Sequence, residues 1–440
     1  MHRRIAITGL GVVGPAGLGA APLAAAVREG RSAVVAITHF DASRYSSRIA
    51  GQAPEFDPAQ GLRKDQVRYV RKTVKVMALD IQMALAAANQ AVLDTGLPIG
   101  DANESVLPTI DHTRMGIVFG SSFIPTELED LVEPARASFV DGRFSLKGWG
   151  SHGFPHMFPL WLLKYLPNMH ACHTGIVWDC QGPSNSLTTS DAGGLLSLDE
   201  AVRILRRGTA DLMLAGGAES RMNPVLQLRY SLLDRLSTAN DDPAGACRPF
   251  DLGRTGQVTG EGAAVVALEA LESAQARGAR IYGEVLGSGT STHASGINTC
   301  DPDGRGVAGA VRRALKDAGL KPEDLGAVVA HGTALEMHDK SESRGLATAL
   351  GAAAPAIPVT GIKGVTGNMG PASGLAELAA ALLFLKDGQV PPILNCTRPD
   401  PEPRLAFVSG GPRPLAKDIF LVTTNAIGGQ TAAVIVKLYR

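Results

Sequence analysis

Ser190 and Asp191 end the run Gly182-Pro-Ser-Asn-Ser-Leu-Thr-Thr-Ser-Asp-Ala-Gly-Gly194, just where an Ala/Leu-rich helical stretch begins. A helix start presents free backbone N–H groups and the positive end of the dipole, so it stabilises negative charge. A carboxylate placed there has two uses. As a cap it accepts a hydrogen bond from the first-turn N–H groups, which contributes about 1 kcal/mol. As a base it takes up a proton; apolar walls would raise its pKa and the helix start would oppose that. As a nucleophile it is poor, because a carboxylate oxygen attacks weakly and the anhydride it would form hydrolyses readily. Ser190 offers a hydroxyl nucleophile, but one step along a helix start turns a side chain by roughly 100°. The two residues therefore face different points.

Other reactive residues carry less. His170-x-Cys172-His173 lacks a complete ligand set, so no metal is expected, nor any other cofactor. Cys180 precedes Gly182-Pro183 and is expected to end a strand, and Cys300 sits in a Gly/Asp-rich loop. Five cysteines without regular spacing argue against a disulfide framework and for a reducing compartment, so the expected location is cytoplasmic.

The elements that position these residues alternate. Strand-like runs occur at Ile5–Thr8, Met115–Phe119, Leu212–Ala215, Ala263–Leu268, Ile281–Leu286, Ala327–Ala330, Ile357–Thr360, Ala406–Ser409, Ile419–Thr423 and Ala433–Leu438. Between them lie helical patterns at Val74–Thr95, Leu195–Arg206, Gly306–Ala318, Ser341–Leu350 and Leu375–Leu385. That rhythm predicts an α/β fold with βαβ units and largely parallel, buried strands. Asp101–Arg114 and Glu127–Trp149 read as irregular insertions. From about Ile281 the rhythm of the first part repeats.

With 440 residues, 45% hydrophobic and 19% charged, the chain can bury a large core. Lys plus Arg equals Asp plus Glu, at 42 each, so no pull toward nucleic acid or an anionic membrane is expected. Arg3 and Arg4 precede an apolar run, but Gly9, Gly11, Gly14 and Gly17 interrupt it. The patch from Phe154 to Leu166 holds charge and proline and is too short to span a bilayer. No membrane span is expected.

An ordered set of motifs resembles the β-ketoacyl-acyl-carrier-protein synthases of the thiolase superfamily across nearly the whole chain. Ile5-Ala-Ile-Thr-Gly-Leu-Gly11 is similar to the opening strand and turn of that family, and Ala210–Glu219 to the strand after its nucleophile helix. Arg248-Pro-Phe-Asp251 with Arg254, Gly256 and Gly260-Glu-Gly262 resembles another segment. Ala330-His-Gly-Thr333, Asp339-Lys-x-Glu342 and Lys363-x-x-Thr-Gly-Asn368 resemble the histidine motifs. The resemblance implies a thiolase-like five-layered αβαβα fold of two similar halves, expected at residues 1–275 and 276–440. It further implies acyl carrier protein as partner and assembly as a homodimer, or as a heterodimer with an active ketosynthase.

In the register of that resemblance Asp191 stands at the cysteine nucleophile, and Ser190 at the alanine before it. His331 falls on the first histidine, whose role would be donation to a thioester oxygen. Asn368 falls on the second; an amide can still donate to a developing oxyanion. Lys363 and Glu342 fall on a supporting ion pair, with Asp339 as further structural support. Ser190, Thr333, Asn425, Gly428 and Gly429 are implied to line the substrate site. Asn425 and Ala426 replace the aromatic gate and a flexible glycine, and Gln257 breaks an aromatic position after Arg254-x-Gly256. The implied function is fatty acid or polyketide type biosynthesis on carrier-bound chains, as a non-condensing subunit similar to a chain-length factor. The alternatives are a malonyl-thioester decarboxylase or unusual acyltransferase using His331 and Asn368, or a 3-oxoacyl-carrier-protein synthase with an atypical active site. A regulatory protein that merely keeps the acyl pocket is a further one.

Overall fold

The computed structural model describes residues 3–440 apart from Asn103, Pro125, Asp234 and Ile297. Ten strands matter for the site: β1 (Ile5–Gly14), β2 (Met115–Ser121), β3 (Ser184–Thr188), β4 (Leu212–Ser220), β5 (Thr259–Ala270), β6 (Gly283–Thr292), β7 (Ala327–Val329), β8 (Pro358–Thr360), β9 (Ile419–Asn425) and β10 (Gln430–Leu438). The first five lie in the order β1-β5-β4-β2-β3, and the next five in the order β6-β10-β9-β7-β8. The two sets thus share one arrangement, first-fifth-fourth-second-third. They meet where β1 pairs with β6, Ile5 opposite Val285. Ala406–Phe407 extends the second set beyond β8.

Helix composition decides the layers. Helix α1 (Leu79–Asp94) covers the outer face of β1, β4 and β5, and α3 (Arg305–Ala318) that of β6 and β10, with α4 (Glu336–Leu350) beside it. Helix α3 buries Val307, Ala308, Ala310, Val311, Ala314 and Leu315 and exposes its arginines, the one-sided stripe of an outer helix. Helices α2 (Gly193–Arg206) and α5 (Ala372–Phe384) fill the middle, each packed on strands of both sets. In α5 every residue but Leu383 is buried, which only a centre layer allows. The result is an αβαβα stack.

Close approach in that centre requires glycine. A Cβ at Gly194 or Gly217 would overlap the backbone carbonyl of Pro371, which precedes α5, and one at Gly193 would crowd Gly120. The Ala-Gly-Gly after Asp191 therefore docks the two central helices against β2 and β4.

Most expected elements are present, with corrections. Within these ten strands only β2, β3 and β4 run parallel to one another, as do β7, β8 and β9; β4 pairs antiparallel with β5 and β9 with β10, and β1, β5, β6 and β10 pair antiparallel among these strands. The four-residue turn from Asn425 to Gln430 shows why: so short a link can join only antiparallel strands. Cys180 does not end a strand; it follows the helix Met169–Trp178, which closes on a left-handed Asp179. Glu127–Trp149 is not irregular throughout, since it holds the helix Leu128–Ala137 and a short hairpin. Among the described residues no helix is long and apolar enough to cross a membrane.

Candidate active site

Strand β3 delivers the chain to Ser190, which has a left-handed φ of 53° despite its side chain. Such a conformation costs roughly 1–3 kcal/mol and persists only where the surroundings enforce it. Its effect is to split the pair. Ser190 lines an open pocket of about 550 Å³ with Thr188, Arg235, Asn298 and Gly428, whereas Asp191 is turned inward and is 2% exposed.

Asp191 does not cap the helix. No cap bond from its side chain is formed, and its Oδ1 accepts instead from Arg221 Nη2 at 2.7 Å. Arg221 also donates through Nε to Glu219 Oε2 at 2.9 Å and lies over the Tyr230 ring, 5.3 Å from its centroid. All three charged side chains are buried. Burial works against the charge on Arg221, but the two carboxylates outweigh it and raise its pKa. Burial raises the Glu219 pKa, and Arg221 restrains the rise. The expectation of a bare carboxylate at the helix start is therefore replaced by a closed ion pair.

His331 is fully buried in the loop between β7 and α4, which is tied down by carboxylates rather than by an ion pair. Glu342 accepts from the backbone N–H groups of His331 and Gly332 and from Thr423 Oγ1, and Asp339 from those of Thr333 and Phe250. Burial pushes the Asp339 carboxyl up to about 7 and raises that of Glu342. The expected Lys363–Glu342 pair is not formed. Lys363 Nζ pairs with Glu377 Oε1 at 2.5 Å and lies 2.9 Å from His331 Nδ1. Because an ammonium can only donate, Nδ1 must accept and the imidazole proton must sit on Nε2. That Nε2 has no partner among the described residues. Burial first, and then the Lys363 charge, hold the His331 pKa well below its ordinary value, so the ring is neutral.

Asn368 is also buried, and its amide orientation is fixed by the backbone. Its Oδ1 accepts from Gly370 N at 3.0 Å and from Ser373 Oγ, and its Nδ2 donates to Gln257 Oε1 at 3.2 Å. The loop through Gly370 abuts the ion pair: a Cβ there would overlap the Glu219 carboxylate and crowd Arg221. Asp191 and Asn368 are thus brought to one place, with His331 near enough to Arg221 to feel its charge.

The remaining expected residues divide. Gly428 lines the pocket, while Gly429, with a φ of 94°, presses on the His293 ring from the turn after β9. Asn425 is buried at the end of β9, opposite Thr431. Thr333 is buried and its Oγ1 accepts from Leu335 N, so it serves the loop rather than the pocket. His170 and His173 turn to different partners, Asp80 and Tyr69.

Sequence reasoning missed Arg221, Glu377 and His338. The first two had a readable signal. Arg221 follows Glu219 by two residues at the end of a buried strand, so both face one side, and Glu377 is the only charge within an apolar helix. His338, in the first turn of α4, is 3% exposed, and neither ring nitrogen has a partner among the described residues.

Comparison with known proteins identifies relatives along the whole chain. Residues 2–274 match the model "Beta-ketoacyl synthase, N-terminal domain", and residues 282–397 the model "Beta-ketoacyl synthase, C-terminal domain". The 3-oxoacyl-[acyl-carrier-protein] synthase 2 of Synechocystis sp. is 34% identical, covering 100% of this chain and 99% of that protein; that of Coxiella burnetii is 32% identical, covering 98% of each. Two solved structures superpose with a TM-score of 0.84 over 100% of both chains. They are the ishigamide ketosynthase/chain length factor, 28% identical, and a beta-ketoacyl synthase from Burkholderia phymatum, 29% identical. The chain belongs to the beta-ketoacyl synthase family.

Proposed function

We propose that this protein is a non-condensing ketosynthase-family subunit that handles acyl chains on a carrier protein and pairs with an active ketosynthase, as a chain-length factor does. The observation that carries this reading is the buried Asp191–Arg221 pair, at the position where the family resemblance calls for a thiol. A carboxylate held by a guanidinium is weaker still as a nucleophile than a free one. The other cysteines do not take its place: burial pushes Cys180, Cys247, Cys300 and Cys396 each up to about 12, so they stay protonated thiols, and Cys172 lies exposed on the helix Met169–Trp178. Carrier protein as partner is supported by a neighbour of TM-score 0.80 and 25% identity, a type II acyl-carrier protein in complex with its ketosynthase. Co-expression with a ketosynthase encoded beside it tests the reading. A stable heterodimer whose product length changes with substitutions in this chain is expected; a homodimer that elongates chains alone overturns it.

One observation favours a second activity, malonyl-thioester decarboxylation. The proton on His331 Nε2 is a buried donor with no acceptor among the described residues. Placed at the thioester oxygen, it would stabilise the enolate that forms as the C–C bond to the carboxylate breaks. The electron pair of that bond enters the enolate, carbon dioxide leaves, and a proton from water completes the acetyl thioester. Arg221 lessens the like-charge repulsion, since its guanidinium holds Asp191 beside an incoming malonyl carboxylate. Release of acetyl-carrier protein from malonyl-carrier protein, lost in His331→Ala, is the expected result.

A further inference from the structure

Building on the decarboxylation reading, we propose that Gln257, with Asn368 behind it, is the second oxyanion donor of the site. Asn368 is the residue that the motif places there, yet it is already committed. The backbone N–H of Gly370 and the Ser373 hydroxyl hold its Oδ1, so the amide orientation is not arbitrary. Its Nδ2 must then face Gln257, and Gln257 must answer with Oε1. Gln257 therefore presents Nε2, with two N–H donors, away from Asn368. That nitrogen is buried and has no acceptor among the described residues, and the residue is only 2% exposed. An unpaired buried amide is costly to keep, which points to an acceptor supplied by a ligand.

The arrangement parallels that at His331. Lys363 faces Nδ1 and leaves Nε2–H free; Asn368 faces Oε1 and leaves Nε2–H₂ free. In each case one buried residue fixes the orientation and the next offers the unpaired donor. Both chains of contact adjoin the Asp191–Arg221 pair, one through Gly370 and the other through the Arg221 charge felt at His331. The acceptor these donors fit is the thioester or enolate oxygen of a short malonyl-type acyl group. Asn368 becomes a positioning residue, and Gln257 the one that touches substrate.

The test is steady-state release of acetyl-carrier protein from malonyl-carrier protein by the full chain and by Gln257→Met, Gln257→Glu and Asn368→Ala. Gln257→Glu keeps the acceptor that Asn368 needs and exchanges the N–H₂ donor for a carboxylate oxygen, and circular dichroism of each variant guards against simple misfolding. Loss of one oxyanion donor lowers kcat by roughly 100-fold. All three variants are expected to show about that loss with KM within threefold, and Gln257→Met/Asn368→Ala no more than Gln257→Met alone. A Gln257→Met enzyme at the wild-type rate beside a slow Asn368→Ala overturns the assignment. If the wild type releases no acetyl product, the decarboxylation reading fails on its own. Calorimetry with a malonyl-pantetheine amide analogue then decides on Gln257. Roughly tenfold weaker binding by Gln257→Met supports the donor, whereas equal binding, or none to either protein, overturns it.

Discussion

Arg221 Nη2 donates to Asp191 Oδ1 at 2.7 Å, with both side chains shut away from solvent. This contact joins two residues thirty positions apart and sets the charge of the site. Removing the guanidinium strands two carboxylates. Arg221→Met is expected to lose about 3–5 kcal/mol of stability at neutral pH, the usual result of breaking a buried pair. The sign with pH is fixed. Burial already raises the Glu219 pKa and Arg221 restrains the rise, so without the guanidinium the folded-state value lies further above the unfolded one and the deficit shrinks as the pH falls toward 4. Urea denaturation at several pH values measures it; a deficit that grows on acidification rules the pairing out as its cause.

Asp191→Cys places a thiol beside the guanidinium. The neighbouring cation lowers a thiol pKa, and in a Cys172→Ser background, which removes the exposed thiol, the variant is expected to alkylate with a chloroacetyl probe while the parent, whose remaining thiols burial keeps protonated, does not at comparable rate. Intact mass spectrometry reads the adduct. A folded variant that stays unlabelled shows that position 191 is closed to the pocket lined by Ser190.

His331 does not titrate in the working range, because burial and Lys363 hold its pKa well below 6.5. Any decarboxylation is therefore expected to be flat in kcat between about pH 6 and 8. A rise through an inflection near 6.5 would show that the ring loses a proton there and would remove its assignment as a fixed neutral donor. Lys363→Ala is expected to abolish the activity and to destabilise the fold as well, since Glu377 is left buried without its partner.

His338 predicts an acid limit. Burial pushes its pKa down to about 4, with Asp191 pulling it up and Arg235 down. A folded-state value below the unfolded 6.5 means that the stability is whole above that pH and is lost progressively down to about 4. The full difference is worth about 3 kcal/mol. His338→Leu is expected to flatten this part of the acid melting curve, followed by circular dichroism.

Much of this was legible in the residue order. Buried β-branched runs and Ala-rich helices marked the alternation, and the Gly pairs marked close packing, because both are local demands of backbone and burial. Strand direction was not legible, since it depends on how connections close across the sheet. The short edge strand β3, with alternating polar residues, carried no apolar pattern to announce it. In the site, Asp191, His331 and Asn368 were visible as types, but their partners were not. Whether Asp191 caps a helix or meets a guanidinium depends on where β4 lies beside α2, and a sequence spacing of thirty does not show that. The same holds for Lys363, whose acid comes from α5 rather than from the Asp339-Lys-x-Glu342 motif.

The doubled strand order bears on how the protein is made. The Asp191, Glu219 and Arg221 cluster belongs wholly to the first five-strand set, and the Lys363, Glu377 and His331 cluster wholly to the second. Each of these two clusters therefore draws its charged members from one stretch leaving the ribosome, although other ion pairs, Arg254–Asp400 among them, join the two stretches. The amide contact between Gln257 and Asn368 also crosses between the sets. The proposed substrate-facing donor is thus oriented only once both parts have docked.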